Sequence, residues 1–313
     1  MRERIRAGEM GIARARHWLS RQAQDAWQLF IAPGIAALLP WSLGYRWLCW
    51  LSRHTKLFDE AIIPAKNIAA QSLGLDAELF AQQARLIILL DHCDLYLSLF
   101  RFWRKGRPWH VRCRGAWPAT GGFIAVTFHY GNGYWIFSTF RDVGRQSGTL
   151  YAQREPAQFR DLPLRYWYGS LRIREVERVA GLPGIFRPHL RKAFDVLREG
   201  VPITALADLP PRLAPQGQRP VRLLDQAVTM PEGLIKLARS CNVPLVPFWT
   251  EFDLEKGIRT LVIGDTLSPE SSDIALQSLA NILDTCIRAT PAGWMFWPEW
   301  PQWIADSAAV TAG

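Results

Sequence analysis

Cysteine, lysine and clean apolar length are all scarce in this chain. Five cysteines occur in 313 residues. They form no Cys-x-x-Cys pair and no Cys/His cluster, which excludes a disulfide-built scaffold and a zinc ribbon and fits a reducing compartment. No internal repeat or low-complexity tract is visible, so a solenoid or propeller is excluded. With 49% hydrophobic and 21% charged residues, the composition is not that of a disordered, collagen-like or coiled-coil chain. Only six of the 37 basic residues are lysine, which leaves 37 − 6 = 31 arginines.

Arginine and tryptophan are abundant instead. The chain carries 15 Trp and a net charge of +9, a combination suited to phosphate-bearing partners: nucleic acid, anionic lipid headgroups or an acidic carrier protein. The first 25 residues hold six Arg against Glu3, Glu9 and Asp25. Twenty uncharged residues follow from Ala26 to Tyr45, and then Arg46, Arg53 and Lys56. Twenty apolar residues are the minimum for a membrane span, but Gln28, Pro33 and Pro40 interrupt this run. Basic residues on both flanks give no orientation across a bilayer. The segment over 1–56 is therefore expected to lie in one leaflet as membrane-associating helices, with a buried helix pair as the alternative.

Beyond it the sequence predicts an α/β domain over 57–306 and a short tail over 307–313. A long helix rich in Leu and aromatics runs from Asp76 to Arg104. Candidate strands are Trp109–Cys113, Phe123–Phe128, Thr149–Gln153, Ile203–Ala207, Val221–Ala227, Val243–Thr250 and Arg259–Ile263. Candidate helices are Gly133–Asp142, Ala157–Gly169, Pro183–Glu199, Pro231–Cys241 and Ser272–Ala289. The alternation implies a mixed, largely parallel central sheet flanked by helices. Pro210–Pro220 reads as a surface loop beside a site.

The stretch GFIAVTFHYGNGYWIF, from Gly122 to Phe137, carries the chemistry. An apolar strand delivers His129 to the carboxyl edge of the sheet, where open α/β sheets place ligands. Gly131 and Gly133 permit close approach to the backbone, and Asn132 can bind a carbonyl or hydroxyl. The block His129-Tyr130-Gly131-Asn132-Gly133-Tyr134 resembles the HxGNWE or HxGNWD motif of the lipid A biosynthesis acyltransferase family, a branch of the lysophospholipid acyltransferase superfamily. The resemblance continues in order over roughly residues 35 to 300. GTLYAQRE ends in Arg154, LRKAFDVLREGVPITALADLPPR contains Asp208 and Arg212, MPEGLIKLARSCNVPLVPFW follows, and a Trp-rich block holds Trp294 and Trp297.

The resemblance implies a glycerolipid acyltransferase-like fold, with His129 as general base and Gly131, Asn132, Arg154, Asp208 and Arg212 on the substrate side. It also implies an acyl-carrier-protein or CoA thioester as donor, with no further cofactor and no metal. The acceptor would be a glycolipid or phospholipid, at the cytoplasmic face of an inner membrane. At the family's acidic position this chain has Tyr134, whose neutral phenol cannot balance an imidazolium. Three readings stay open. Asp208, or less readily Asp142, reaches His129 in space; Tyr134 sustains a slower transfer; or the protein is an impaired homologue that binds lipid or acyl carrier as an accessory. Nucleic acid is not an expected partner, because no binding motif accompanies the charge.

Two further patterns stand out. Asp91-His92-Cys93-Asp94 invites a metal reading, but consecutive helical residues face different ways and cannot chelate one ion together. Trp294, Trp297, Trp300 and Trp303 recur every third residue with Pro298 and Pro301 between them. A polyproline-like run would align all four indoles along one edge, for a membrane interface or acyl groove, with core packing as the alternative.

Overall fold

A computed structural model describes residues 15–100, 107–151, 156–186 and 191–312. Arg154 lies outside them. Among the described residues seven strands form the central sheet: β1 (Val111–Arg114), β2 (Ile124–Thr127), β3 (Gly148–Tyr151), β4 (Ile185–Phe186), β5 (Ile203–Leu206), β8 (Leu245–Asp253) and β9 (Ile258–Ile263). A separate hairpin is made by β6 (Gln218–Leu223) and β7 (Gln226–Pro231). The sheet order is β1-β9-β8-β2-β5-β3-β4, and only the β8–β9 pairing is antiparallel. This is the mixed, largely parallel α/β architecture that the alternation predicts.

Side chains of β2 alternate between two cores, as strand period demands. Ile124 and Val126 join a cluster with Leu276 and Trp297, while Phe123 and Ala125 join one with Leu48, Leu89 and Trp135. The second cluster is built largely from α2 (Ala32–Leu38), α3 (Trp41–His54), α5 (Ala77–Leu99), α6 (Ile136–Asp142) and α7 (Pro163–Ala180). α5 is capped by Asp76, whose carboxylate accepts from the Glu78 and Leu79 amides, and it spans both cores.

The apolar run Ala26–Tyr45 is thus not one helix. A helix over 15–26 (α1) passes into a π-helical turn, Trp27–Ile31, then α2, a break at Pro40 and α3. Pro33 has no N–H to offer the Leu29 carbonyl, and the Tyr96 hydroxyl from α5 donates to it instead at 2.7 Å. Leu29, Ala32, Ala36, Tyr45 and Leu48 are buried with α5 residues in one cluster, so this hairpin is a layer of the domain. No described helix is long and apolar enough to cross a membrane.

Several local expectations change, among them Ala157–Gly169, whose helix is α7, Pro163–Ala180. Val221–Ala227 is not one strand but the β6–β7 hairpin, turning at Leu224 and Asp225, both at positive φ. A turn with two positive φ values ordinarily announces itself with Asn or Gly, and neither is present here. Pro183–Glu199 begins with the short β4, and its helix is α8 (Arg191–Arg198). The Trp run is not a polyproline edge. Trp297–Glu299 is a 3₁₀ turn and Trp300–Ala312 an α-helix (α11), with Pro301 in its first turn, where the missing N–H costs nothing. All four indoles are buried in the core. Residues 307–312 continue α11 rather than forming a separate tail, and the Ser307 hydroxyl accepts from the Thr229 amide.

The acidic tetrad on α5 is split among partners. Asp91 takes a bidentate ion pair from Arg172 of α7 at 2.6 and 2.7 Å, and His92 Nδ1 meets the Tyr168 hydroxyl at 2.5 Å. Burial lowers His92 from 6.5 to about 4, Asp91 opposing and Arg172 assisting. The unfolded chain protonates first as pH falls, so stability from the neutral His92 is present above about pH 6.5 and lost towards pH 4. That window corresponds to roughly 3 kcal/mol. Urea unfolding at pH 7 and pH 4.5 should therefore show a markedly smaller pH loss for His92→Gln than for wild type; equal losses would refute the assignment.

Candidate active site

The register of two parallel strands builds the site. Thr127 of β2 stands beside Leu206 of β5, and each chain runs two residues further, to His129 and to Asp208. An equal overhang from paired positions puts the two side chains together at the carboxyl edge of the sheet. His129 Nδ1 lies 2.9 Å from Asp208 Oδ1. The Asp208 carboxylate, 0% exposed, also accepts the His129 backbone N–H at 2.8 and 2.9 Å and the Trp294 indole N–H at 3.2 Å. Every partner is a donor, which suits an acceptor-only carboxylate. With Nδ1–H committed to Asp208, the Nε2 lone pair is left for chemistry. The imidazole is 27% exposed and its ring centre stands 4.4 Å from that of Phe296.

The Gly-rich turn behind His129 is held from two sides. Residues 293–295 pair with it like a strand: Gly131 N–H donates to Gly293 O at 2.7 Å and Met295 N–H to His129 O at 2.9 Å. Gly131 is at φ +61°, and a Cβ there would lie 2.6 Å from the Phe252 ring. Asn132 turns inward. Its carbonyl oxygen accepts the Tyr134 N–H at 3.0 Å, its amide donates to Asp94, and its main-chain carbonyl accepts the Thr250 hydroxyl at 2.6 Å. Asp94, fully buried, pairs with Arg259 at 2.8 Å, and Arg259 lies over the Trp41 ring at 5.2 Å. Burial pushes Asp94 up to about 6 against the pull of Arg259 and of the Asn132 hydrogen bond.

The structure thus brings His129, Gly131 and Asp208 together and sets Tyr134 elsewhere. Tyr134 is buried with Trp135 and Phe137, its ring 5.8 Å from the Arg172 guanidinium. Its hydroxyl makes no hydrogen bond of good geometry with any described residue, and burial together with Glu175 raises the phenol above its ordinary value, with Ser98 and the arginines opposing. Asn132 serves the turn through its buried side chain rather than facing a substrate. Arg212 is solvent-exposed and pairs with Glu299, joining the loop after Asp208 to the Trp block. Asp142 is paired with Arg107 at 3.2 Å. Among the described residues no group of three or more His, Cys, Asp or Glu is placed to hold a metal.

Sequence reasoning missed Asp94, Arg259 and the Trp294 indole as supports of the pair. No local signal marks the first two; a buried ion pair between distant segments is visible only in three dimensions. No protein-family model matches the chain, and no curated protein matches it.

Gly131→Ala should lower unfolding free energy by about 1–3 kcal/mol, from a left-handed alanine and the Phe252 clash. Tyr134→Phe, which deletes a hydroxyl without a well-formed hydrogen bond among the described residues, should stay within about 1 kcal/mol of wild type. Urea titration of both variants decides; a Tyr134→Phe loss as large as that of Gly131→Ala would give the phenol a structural hydrogen bond.

Proposed function

We propose that this protein is a membrane-associated acyltransferase that moves a fatty acyl chain from an acyl-carrier-protein or CoA thioester to a hydroxyl or amine of a glycolipid or phospholipid. The observation that carries the reading is the His129–Asp208 pair. His129 Nε2 takes the proton of the acceptor hydroxyl while its oxygen attacks the thioester carbonyl carbon. The tetrahedral intermediate then collapses, the C–S bond breaks, and the departing sulfur receives the proton from the imidazolium. Asp208 fixes the ring tautomer and stabilises the imidazolium, as the third member of a hydrolase triad does. It takes over the role that the resembled family gives to the acid five residues after the His, so the departure at Tyr134 leaves the chemistry intact. We read the sheet as glycerolipid acyltransferase-like on the same grounds. A base held by a buried acid has a use in turnover that an accessory binding protein lacks.

Leu206 and Met295, both exposed, and Phe296 beside the imidazole give the site an apolar rim suited to an acyl chain. Arg212, turned to solvent, suits the phosphate of a donor or acceptor. The helix hairpin supplies the membrane contact: Ile31 at the end of the π-helical turn, Ile35 and Leu38 on α2, and Leu43 and Trp50 on α3 are exposed, with Arg46 and Arg53 near them. Exposed apolar side chains and indoles beside arginines fit an anionic leaflet at the cytoplasmic face of an inner membrane.

Mass spectrometry of total lipids from cells expressing wild type should show an acylated lipid that His129→Ala and Asp208→Asn reduce by about 10⁴ and that Tyr134→Phe preserves. Identical lipid profiles for wild type and His129→Ala, with both proteins abundant, would leave only the binding role. In sedimentation with vesicles containing phosphatidylglycerol, Leu38→Glu/Trp50→Glu should weaken binding at least tenfold. Unchanged binding would move the membrane contact off the hairpin.

A further inference from the structure

Apart from the His129 site, a cleft lies among the π-helical turn, α4 (Asp59–Leu73), α5 and α7. It measures about 210 Å³ and is lined by Gln24, Gln28, Leu29, Phe58, Glu60, Ala61, His92 and Arg165. We propose that it is a binding site for a small neutral molecule with an alkyl body and one acceptor oxygen, such as a short-chain ester, held by a hydrogen bond from His92 Nε2–H.

Arg172 holds Asp91 with two N–H groups, and its positive charge acts on the Tyr168 phenol beside it. That charge strengthens the phenol as a donor, and the proposed tautomer has Tyr168 O–H donating to His92 Nδ1. An imidazole that accepts at Nδ1 and stays neutral carries its proton on Nε2. That nitrogen makes no hydrogen bond with any described residue and belongs to a cavity-lining side chain, so a donor faces a space largely bounded by carbon.

The size and charge of the cavity choose the ligand. An apolar cavity of about 150 Å³ accommodates benzene, so this one holds a body of about six to nine heavy atoms. The charged groups at its wall are Arg165, Asp25, which Arg165 contacts at 2.9 Å, and Glu60, which it contacts at 3.3 Å. Two carboxylates against one guanidinium disfavour an anionic ligand and leave a neutral acceptor as the match for Nε2–H. Phe58, at the wall, holds a left-handed conformation at φ 61°, uncommon for a bulky residue and of the kind found where structure is kept for binding. Its N–H is tied to Gln28 at 3.4 Å, on the opposite element of the cavity.

The test uses the full-length protein labelled with ¹⁵N-histidine and two-bond ¹H–¹⁵N correlation spectra, with His92→Gln giving the assignment. Wild type should show His92 as the Nε2–H tautomer. Methyl hexanoate should shift that nitrogen in a saturable manner, and hexanoate at equal concentration should not. Ala61→Trp, which places an indole at an exposed position of the lining without touching the core, should abolish the response, while His129→Ala should keep it. An Nδ1–H tautomer, no shift with the ester, an equal shift with the anion, or an unaltered response in Ala61→Trp would each overturn the proposal.

Discussion

One buried carboxylate organises the edge of this sheet. Asp208 has no access to water and is paid for by three donors from two directions, the amide and ring of His129 and the indole of Trp294. A desolvated carboxylate is costly unless its lone pairs are filled, so the residues that fill them are fixed in place by that need. The end of β2, the end of β5 and the C-terminal tryptophan block thereby become one rigid unit. A base built into such a unit keeps its tautomer and direction without any flanking acid on its own helix.

The same logic recurs one layer below. Asp94 and Arg259 form an ion pair inside the core, and the Asn132 amide donates to the other oxygen of the same carboxylate. Removing one partner of a buried pair costs about 3–5 kcal/mol, so the glycine turn behind His129 is anchored to α5 and β9 by a contact that cannot slip cheaply. Arg259 in turn lies over Trp41 at the start of α3. The N-terminal hairpin is consequently continuous with the site through Trp41, Arg259, Asp94 and Asn132, although nothing in its sequence says so. Its outward residues, Ile35, Leu38 and Trp50, stay available for a surface of another kind.

Much of the fold was legible. Strands ending before His129 and Asp208, the helix from Asp76 and the helix Ser272–Ala289 follow from periodicity and breakers, which are local properties. The β6–β7 hairpin was not, because its turn uses Leu224 and Asp225 in conformations that Gly or Asn normally signal. The tryptophans stayed undecided between a membrane or groove edge and the core, because spacing gives a face but not whether that face meets water. The acid partner Asp208 was one of three open readings, and no residue count between 129 and 208 could select it.

The sequence by itself determined that the chain is an α/β protein with a histidine at the carboxyl end of a strand, a glycine turn after it and an arginine-rich exterior. Those are consequences of local hydrophobic period, backbone freedom and charge. Only the tertiary structure decided which acid serves that histidine, that Tyr134 and Asn132 face inward, and that His92 looks into a cavity. Each depends on strand register or helix packing between segments far apart in the chain, and register is set by the collective burial of both sheet faces rather than by any residue near the site.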